Sequence, residues 1–391
     1  MLITSFSTQR LKIIVLGYIV RGPLGGLAWH HLQYVIGLSE LGHDVYFFED
    51  SDDFPSCYDP NRHVTDTDPR YGLGFISKSF DQLNLDDRWA YYDAHIGKWH
   101  GPAGTHALDI CSSADLLLNV SGVNPMRPWF LNIPKRALID TDPVFTQVAH
   151  LTNTSALERA ERHTSFLSFA ENIGSANCTV PEDGFAWQPT RQPVVLDQWP
   201  VTVAPSEGAF TTVMQWDSYK SVENNDVHYG MKSESFEHYL KLPKRTNSKL
   251  ELAIGSSNAP RELLESHGWH LRDPLEITRD PWTYQNYIQN SRGEFSIAKH
   301  GYVISHSGWF SERSAAYLAS GRPVVIQDTG FSDWMNVGEG VWAFNSPDEA
   351  LKGLSLINDH YGLHCEAART LAEDVFDSSV VLGKLLDDIF S

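Results

Sequence analysis

Positive charge is scarce in this chain. Its 391 residues include 30 Lys and Arg against 49 Asp and Glu, a formal net charge of -19. Nucleic-acid binding calls for a broad basic footprint, and docking on an anionic membrane calls for a polybasic patch. The composition offers neither, so the expectation is no nucleic-acid partner and no membrane insertion. Long apolar runs are missing as well: nothing approaches the roughly 18 to 20 residues of a bilayer span. Residues 1–10 are polar and lack the apolar core of a signal peptide. Only four cysteines occur (Cys57, Cys111, Cys178 and Cys365), scattered without metal-type spacing. That excludes a disulfide scaffold and suits a reduced, cytoplasmic setting. There is no low-complexity tract and no internal repeat.

What is present is enough apolar material for real cores. Hydrophobic residues make up 42% and aromatics 12%, which rules out global disorder, and the length suggests two or three domains. Leu11 to Leu16 reads as a buried strand. The turn region from Gly17 to Gly26 follows, then a helix from Leu27 to Leu41. Leu27, His31, Tyr34, Val35, Leu38 and Leu41 form its apolar face, and His30, Gln33, Gly37 and Glu40 its polar one. Gly42 ends the helix and Asp44 to Phe48 is the next strand, completing a βαβ unit. Residues 51–105 are irregular and rich in Asp and aromatics. Further strands are read at 114–120, 136–139 and 166–169.

Prolines crowd residues 181–208, as in an interdomain linker. A second α/β half follows, with strands at 210–215, 250–254 and 295–297. Val380 to Phe390 reads as a terminal amphipathic helix. The expected fold is therefore α/β, two Rossmann-like domains facing a central cleft. The boundaries are 1–195 for the N-terminal, acceptor-binding domain, 196–208 for the linker, 209–375 for the donor-binding domain, and 376–391 for a terminal helix packing back on the N-terminal domain.

The most informative stretch is His306-Ser307-Gly308-Trp309-Phe310-Ser311-Glu312-Arg313, which leads through a helix to the buried strand Pro323 to Ile326. A polar, glycine-containing loop opening a helix gathers free backbone N–H groups and the positive end of the helix dipole, a natural seat for an anion. His306, Ser307, Ser311 and Arg313 add side-chain donors. Lys299, just after the preceding strand, is a candidate cation for a leaving diphosphate. Asp328, Thr329 and Gly330 follow the next strand at the same sheet edge. They suit sugar and phosphate contacts, and equally a turn.

Two motifs resemble those of the GT-B glycosyltransferases. Gly25-Gly26, followed sixteen residues later by Gly42-His43-Asp44-Val45, resembles the N-terminal signature of the retaining bacterial glycosyltransferases. His306 to Ser311, followed by Ala319-Ser320-Gly321-Arg322-Pro323, resembles the donor loop of UDP-dependent glycosyltransferases. The resemblance implies that His306, Ser307, Gly308 and Ser311 hold a donor diphosphate, with Trp309 near the sugar. Both families place a ribose-binding Glu where this chain has Ala316, and Glu312 stands one turn earlier as its substitute.

Gly25 and Gly26 are read as a close backbone approach to a ligand. His30 is a candidate base for an acceptor hydroxyl. Asp140 and Asp142, at the mouth of a strand, are candidate bases or acceptor-orienting groups, though Asp-Thr-Asp-Pro is also good turn chemistry. The implied activity is hexosyl transfer, with no cofactor and no metal. The donor is a UDP- or dTDP-sugar and the acceptor a small molecule; oligomeric state stays open. A nucleotide-sugar epimerase and a non-catalytic nucleotide-sugar binder are the alternatives.

Overall fold

The computed structural model describes residues 10–203, 205 and 207–391. Residues 1–9, read above for a signal peptide, and Ala204 and Ser206 of the expected linker lie outside the described residues.

The elements used below, in chain order, begin with β1 (Lys12–Leu16), α1 (Gly25–Glu40), β2 (Asp44–Asp50), β3 (Trp89–Asp93), β4 (Lys98–His100) and β5 (Leu116–Val120). The first half continues with β6 (Lys135–Asp140), α2 (Phe145–Thr152), α3 (Thr154–Ala160), β7 (Ser165–Ser168) and β8 (Trp187–Pro189). The second half contains β9 (Phe210–Gln215), β10 (Leu250–Gly255), β11 (His270–Arg272), α4 (Pro281–Gln289), β12 (Gly293–Ser296) and α5 (His300–Ile304). It continues with α6 (Glu312–Ala319), β13 (Val324–Gln327), β14 (Val341–Phe344), α7 (Tyr361–Val375) and α8 (Ser378–Phe390).

The first sheet has eight strands in the order β8-β7-β6-β5-β1-β2-β3-β4. All its pairings are parallel except β3 with β4. The second sheet has six parallel strands in the order β11-β10-β9-β12-β13-β14. Counted within its own half that is 3-2-1-4-5-6, the doubly wound order of dinucleotide-binding folds. Parallel strands need helices on both faces, which is why β1, β5 and β13 are dominated by Ile, Val and Leu. In such sheets ligands sit beyond the strand C-termini where the winding reverses. Here that is between β1 and β5 in one half, and between β9 and β12 in the other. Among the described residues no helix is long and apolar enough to cross a membrane.

Of the expected polar face of α1, Gln33 and Gly37 are buried, His30 is half-buried and Glu40 is exposed. Gln33 accepts from the Val195 amide at 2.7 Å, and a Cβ on Gly37 would lie 2.6 Å from Leu382 of α8. The helix is sandwiched between the sheet, the chain near Val195 and the terminal helix, so three apolar surroundings outvote its two-sided sequence. Lys135 donates to the Ile389 carbonyl at 2.9 Å, tying α8 to the first half. The chain crosses back at Phe376, whose carbonyl accepts from the Val194 amide at 2.7 Å. The proline-rich stretch is not a free linker: it contributes edge strand β8 and buries Trp199 completely against Trp29. The aromatics at 89–100 belong to β3, β4 and their core: Trp89 and Tyr91 are buried, and Trp99 packs on Phe48 and Tyr92. The irregular region also hides a helix, Arg70–Gln82.

Gly25 and Gly26 bring the backbone against the other half of the protein. A Cβ on Gly25 would stand 2.3 Å from the Asp280 carbonyl oxygen, and one on Gly26 would stand 3.1 Å from the Tyr284 ring. Alanine at 25 gains about 1 kcal/mol of helix propensity, but overpacking against backbone costs about 1–3 kcal/mol. Gly25→Ala is therefore expected to lower stability in urea denaturation and to splay the halves apart, raising the radius of gyration in solution scattering. A more stable variant of unchanged radius would mean that this contact yields freely.

Candidate active site

A cavity of about 360 Å³ lies between the two switch points. The first half lines it with Tyr18, His30, Ser121 and Asp142, and the second with Lys232, Lys299, Tyr302 and the start of α6.

On the second half, Ser311 caps α6 by accepting from the Arg313 amide at 3.2 Å, so the positive end of the helix faces the cavity. Trp309 packs on Tyr302 in a tilted pair with ring centroids 4.4 Å apart and donates to the Thr141 carbonyl across the cleft at 3.2 Å. Arg313 is committed internally: it pairs with buried Glu294 at 2.6 Å and donates to the Val213 carbonyl and Ser296 hydroxyl, each at 2.8 Å. It anchors α6 to β9 and β12 and adds its field to the cavity rather than a free fork. Lys232 is half-buried and lines the cavity, and among the described residues no hydrogen bond or ion pair holds its ammonium. Burial first, and then the charges of Arg313 and Lys299, push its pKa down to about 7.

Lys299 reaches across the cleft. Its ammonium lies 2.8 and 3.0 Å from the two carboxylate oxygens of Asp142 and donates to the Tyr219 hydroxyl at 2.7 Å. Tyr219 and Tyr302 also donate to Asp142. A carboxylate of the first half thus sits in a cationic, hydroxyl-rich cradle built wholly by the second.

On the first half, the His30 Nε2 is 3.4 Å from the Ser121 hydroxyl, which in turn is 2.8 Å from that of Thr141. Its Nδ1 is buried without a partner. Burial lowers the His30 pKa against the opposing charge of Glu312, so the imidazole is neutral at pH 7 and able to accept a proton. Asp140, expected beside Asp142 as a second base, is a structural hub. It is buried and accepts from Thr146 at 2.6 Å, Gln147 at 3.0 Å, Ser168 at 2.7 Å and the Asp142 amide at 2.9 Å. With every lone-pair direction taken, it orients the Asp-Thr-Asp turn.

The remaining expected residues shape the loop without lining the cavity. His306 turns outward, in the left-handed region at φ 50°, and pairs with Asp333 at 2.7 Å. Ser307 is fully buried, its hydroxyl donating to the Tyr302 carbonyl at 3.2 Å. Gly308, at φ 75°, donates to the Thr329 carbonyl at 2.8 Å and packs on Asn172. Asp328 accepts from the Gly330 amide at 2.8 Å and the Ser332 hydroxyl at 2.6 Å, closing a turn behind the loop. Thr329 donates to the Trp309 carbonyl. Of the expected set, His30, Asp142, Lys299, Trp309, Ser311, Glu312 and Arg313 share the cavity. Gly25, Gly26, His306, Ser307, Gly308, Asp328, Thr329 and Gly330 do not.

Sequence reasoning missed Lys232, Tyr219 and Tyr302. Lys232 opens a short helix, Lys232–Phe236, in a stretch whose polar residues mark no motif. It also missed Glu49 at the end of β2. The buried Glu49 carboxylate accepts from the amides of Ile19 at 2.6 Å, Val20 at 2.7 Å and Arg21 at 2.7 Å. The amides of the loop after β1, the usual phosphate seat of this topology, are filled by the protein's own anion.

No protein-family model matches the chain, and no curated protein matches it. Solved structures do. An alpha-glucosyltransferase in complex with UDP-glucose and DNA containing an abasic site is 11% identical, with 98% of this chain and 100% of that one covered at a TM-score of 0.59. AviGT4, a glycosyltransferase involved in avilamycin A biosynthesis, is 14% identical over 97% of each chain at 0.54. Anabaena Alr3699/HepE, in complex with UDP and glucose, is 10% identical over 98% and 100% at 0.56. The DNA complexes correct the expectation of no nucleic-acid partner. Net charge sums the whole surface, whereas binding depends on the field in one groove, so -19 does not exclude such a partner on this fold. Two doubly wound halves, a cleft between their switch points and a terminal helix crossing back give this chain the GT-B fold, shared with these glycosyltransferases.

Proposed function

We propose that the chain is a glycosyltransferase that moves a sugar from a nucleotide-diphosphate sugar, UDP-linked in the first instance, to an acceptor hydroxyl without a bound metal. One observation carries this reading: in a chain of net charge -19, Lys232, Lys299 and the N-terminus of α6 converge on one cavity between two sheet switch points. Such a cluster suits a diphosphate leaving group, whose developing charge needs fixed positive partners.

Diphosphate oxygens compete with Asp142 for Lys299, so donor binding frees that carboxylate. The bond between the anomeric carbon and the diphosphate breaks, and the electron pair leaves with the diphosphate towards Lys232 and Lys299. The acceptor oxygen bonds to the anomeric carbon as its proton passes to neutral His30. The charge of Glu312, which raises the His30 pKa, stabilises the imidazolium formed.

Calorimetric titration with UDP, dTDP, GDP, ADP and CDP tests the reading. One nucleoside diphosphate is expected to bind at least tenfold more tightly than the rest, and to be lost in the double variant Lys232→Ala, Lys299→Ala. Absence of binding to all five in the folded wild type would sink it.

A further inference from the structure

In a doubly wound unit a strand passes into the next helix through a short loop, commonly of about 2–6 residues. Here residues 216–231 stand between the end of β9 and the helix Lys232–Phe236, and they fold into a hairpin. Val222–Asn224 pairs antiparallel with Val227–Tyr229. Asn225 and Asp226, at φ 50° and 62°, form the two-residue turn whose left-handed backbone matches the twist of such strands. A two-stranded hairpin by itself is marginal in water, so its supports decide its role.

The base is tied to its own half. The Glu234 carboxylate accepts from the Ser221 hydroxyl at 2.7 Å on the entry side and pairs with the His228 Nε2 at 2.8 Å on the exit side. The Gly230 carbonyl accepts from the Gly301 amide at 3.1 Å, joining the exit strand to α5. The body leans on the other half. Its entry strand lies along α2, where Val222 packs on the apolar cluster that contains Val144, Phe145 and Val148. Tyr219 sets its ring edge-on against Phe145, with centroids 5.3 Å apart, and its hydroxyl donates to Asp142. The hairpin therefore has one fixed side, and across the cleft one hydroxyl and one apolar seat.

Both ends of the hairpin reach the candidate active site. Ser218 and Tyr219 before it and Lys232 after it line that cavity, whereas Val222 does not. At about 360 Å³ the cavity stands at the small end of the roughly 300–1,000 Å³ of ligand pockets. A nucleotide-diphosphate sugar brings a base, a ribose, two phosphates and a sugar, so part of the wall has to yield. The wall held least firmly is the one that only leans.

We propose that this hairpin is a strap over the cavity: it lifts from α2 about its Glu234-tied base to admit a ligand, and on return it seats Tyr219 and shields Lys232. The proposal rests on the glycosyltransferase reading for the identity of the ligand, though not for the motion.

Acetylation by acetic anhydride, read at Lys232 by peptide mass spectrometry, tests it on wild type, Val222→Ser and Tyr219→Phe. At about pH 8 the Lys232 amine, its pKa pushed by burial down to about 7, is mostly unprotonated, so access limits its rate. Lys241, exposed on the same half outside the hairpin, is the internal control. Thermal melts show that each variant is folded, and hydrogen exchange follows the amides of residues 219–229. In both variants Lys232 is expected to react at least fivefold faster relative to Lys241, with faster exchange across the hairpin. Val222 is the decisive position, because a change there reaches Lys232 only through the hairpin. A Lys232 rate in Val222→Ser equal to that of wild type overturns the strap, as does faster exchange in the hairpin without faster acetylation. UDP is added to the same wild-type samples. Faster acetylation in the variants with no protection of Lys232 by UDP supports the strap and overturns the transferase reading. Protection by UDP with acetylation indifferent to both substitutions does the reverse.

Discussion

Glu49→Ala is expected to destabilise the protein by about 3–5 kcal/mol, the scale of breaking a buried ion pair and orphaning its hydrogen-bond partners. Glu49 has almost no exposure, at 1%, and serves four groups at once: three consecutive amides of the loop after β1, and the Arg21 guanidinium at 3.5 Å. Alanine leaves the amides without acceptors and Arg21 without a counterion. Glu49→Gln keeps one oxygen but turns an NH2 group towards donors, so its loss should fall between zero and that of alanine. Chemical denaturation followed by tryptophan fluorescence reads both. A loss below about 1 kcal/mol for alanine, within the range of an ordinary surface change, would mean that water replaces the carboxylate without difficulty. The same geometry predicts that free inorganic phosphate does not bind this loop in wild type.

Lys232→Ala should weaken binding of the preferred nucleoside diphosphate about 30- to 100-fold. That corresponds to roughly 2–3 kcal/mol, as expected for one charge-assisted contact. The pH dependence is more diagnostic. With its pKa held down to about 7, Lys232 is largely neutral in mildly alkaline solution. A bound diphosphate favours the charged form and raises that pKa, so binding takes up a proton. Affinity is therefore greatest at and below pH 7 and falls by up to tenfold per unit as pH rises through the free-state value. The phosphate's own titration, near pH 6, lies below that window. Calorimetry between pH 7 and 9 in buffers of different ionisation enthalpy measures both the slope and the proton. In Lys232→Arg, whose side chain stays charged, the slope should vanish while binding remains. A wild-type affinity flat over that range would remove Lys232 from the donor site.

Much of the architecture was legible because it rests on short-range pattern. Apolar runs at β1, β5 and β13, glycines and caps at helix ends, and the loop-helix-strand at 306–326 are all set by neighbours within a few residues. The N-terminus of α6 was legible for the same reason: Ser311 caps its own helix. The same pattern overstated the loop before it, where polar residues proved to be scaffolding. Ser307 and Asp328 spend their hydrogen bonds on the loop and its turn, and His306 spends its on Asp333. Nothing in a run of polar residues says which of them a buried loop must consume to satisfy its own backbone.

By itself the sequence determined the two α/β halves, the places of most of their main strands along the chain and the helix terminus at 311–313, since 2- and 3.6-residue periodicities and caps are local properties. Only the tertiary structure decided which groups meet. It placed Asp142 on Lys299 across 157 positions of chain, filled the loop after β1 with Glu49, pressed Gly25 onto Asp280, and set Lys232 within the fields of Arg313 and Lys299. The physical reason is that charge pairing and desolvation depend on distance in space and on exclusion of water, and neither is written in the spacing of residues along the chain.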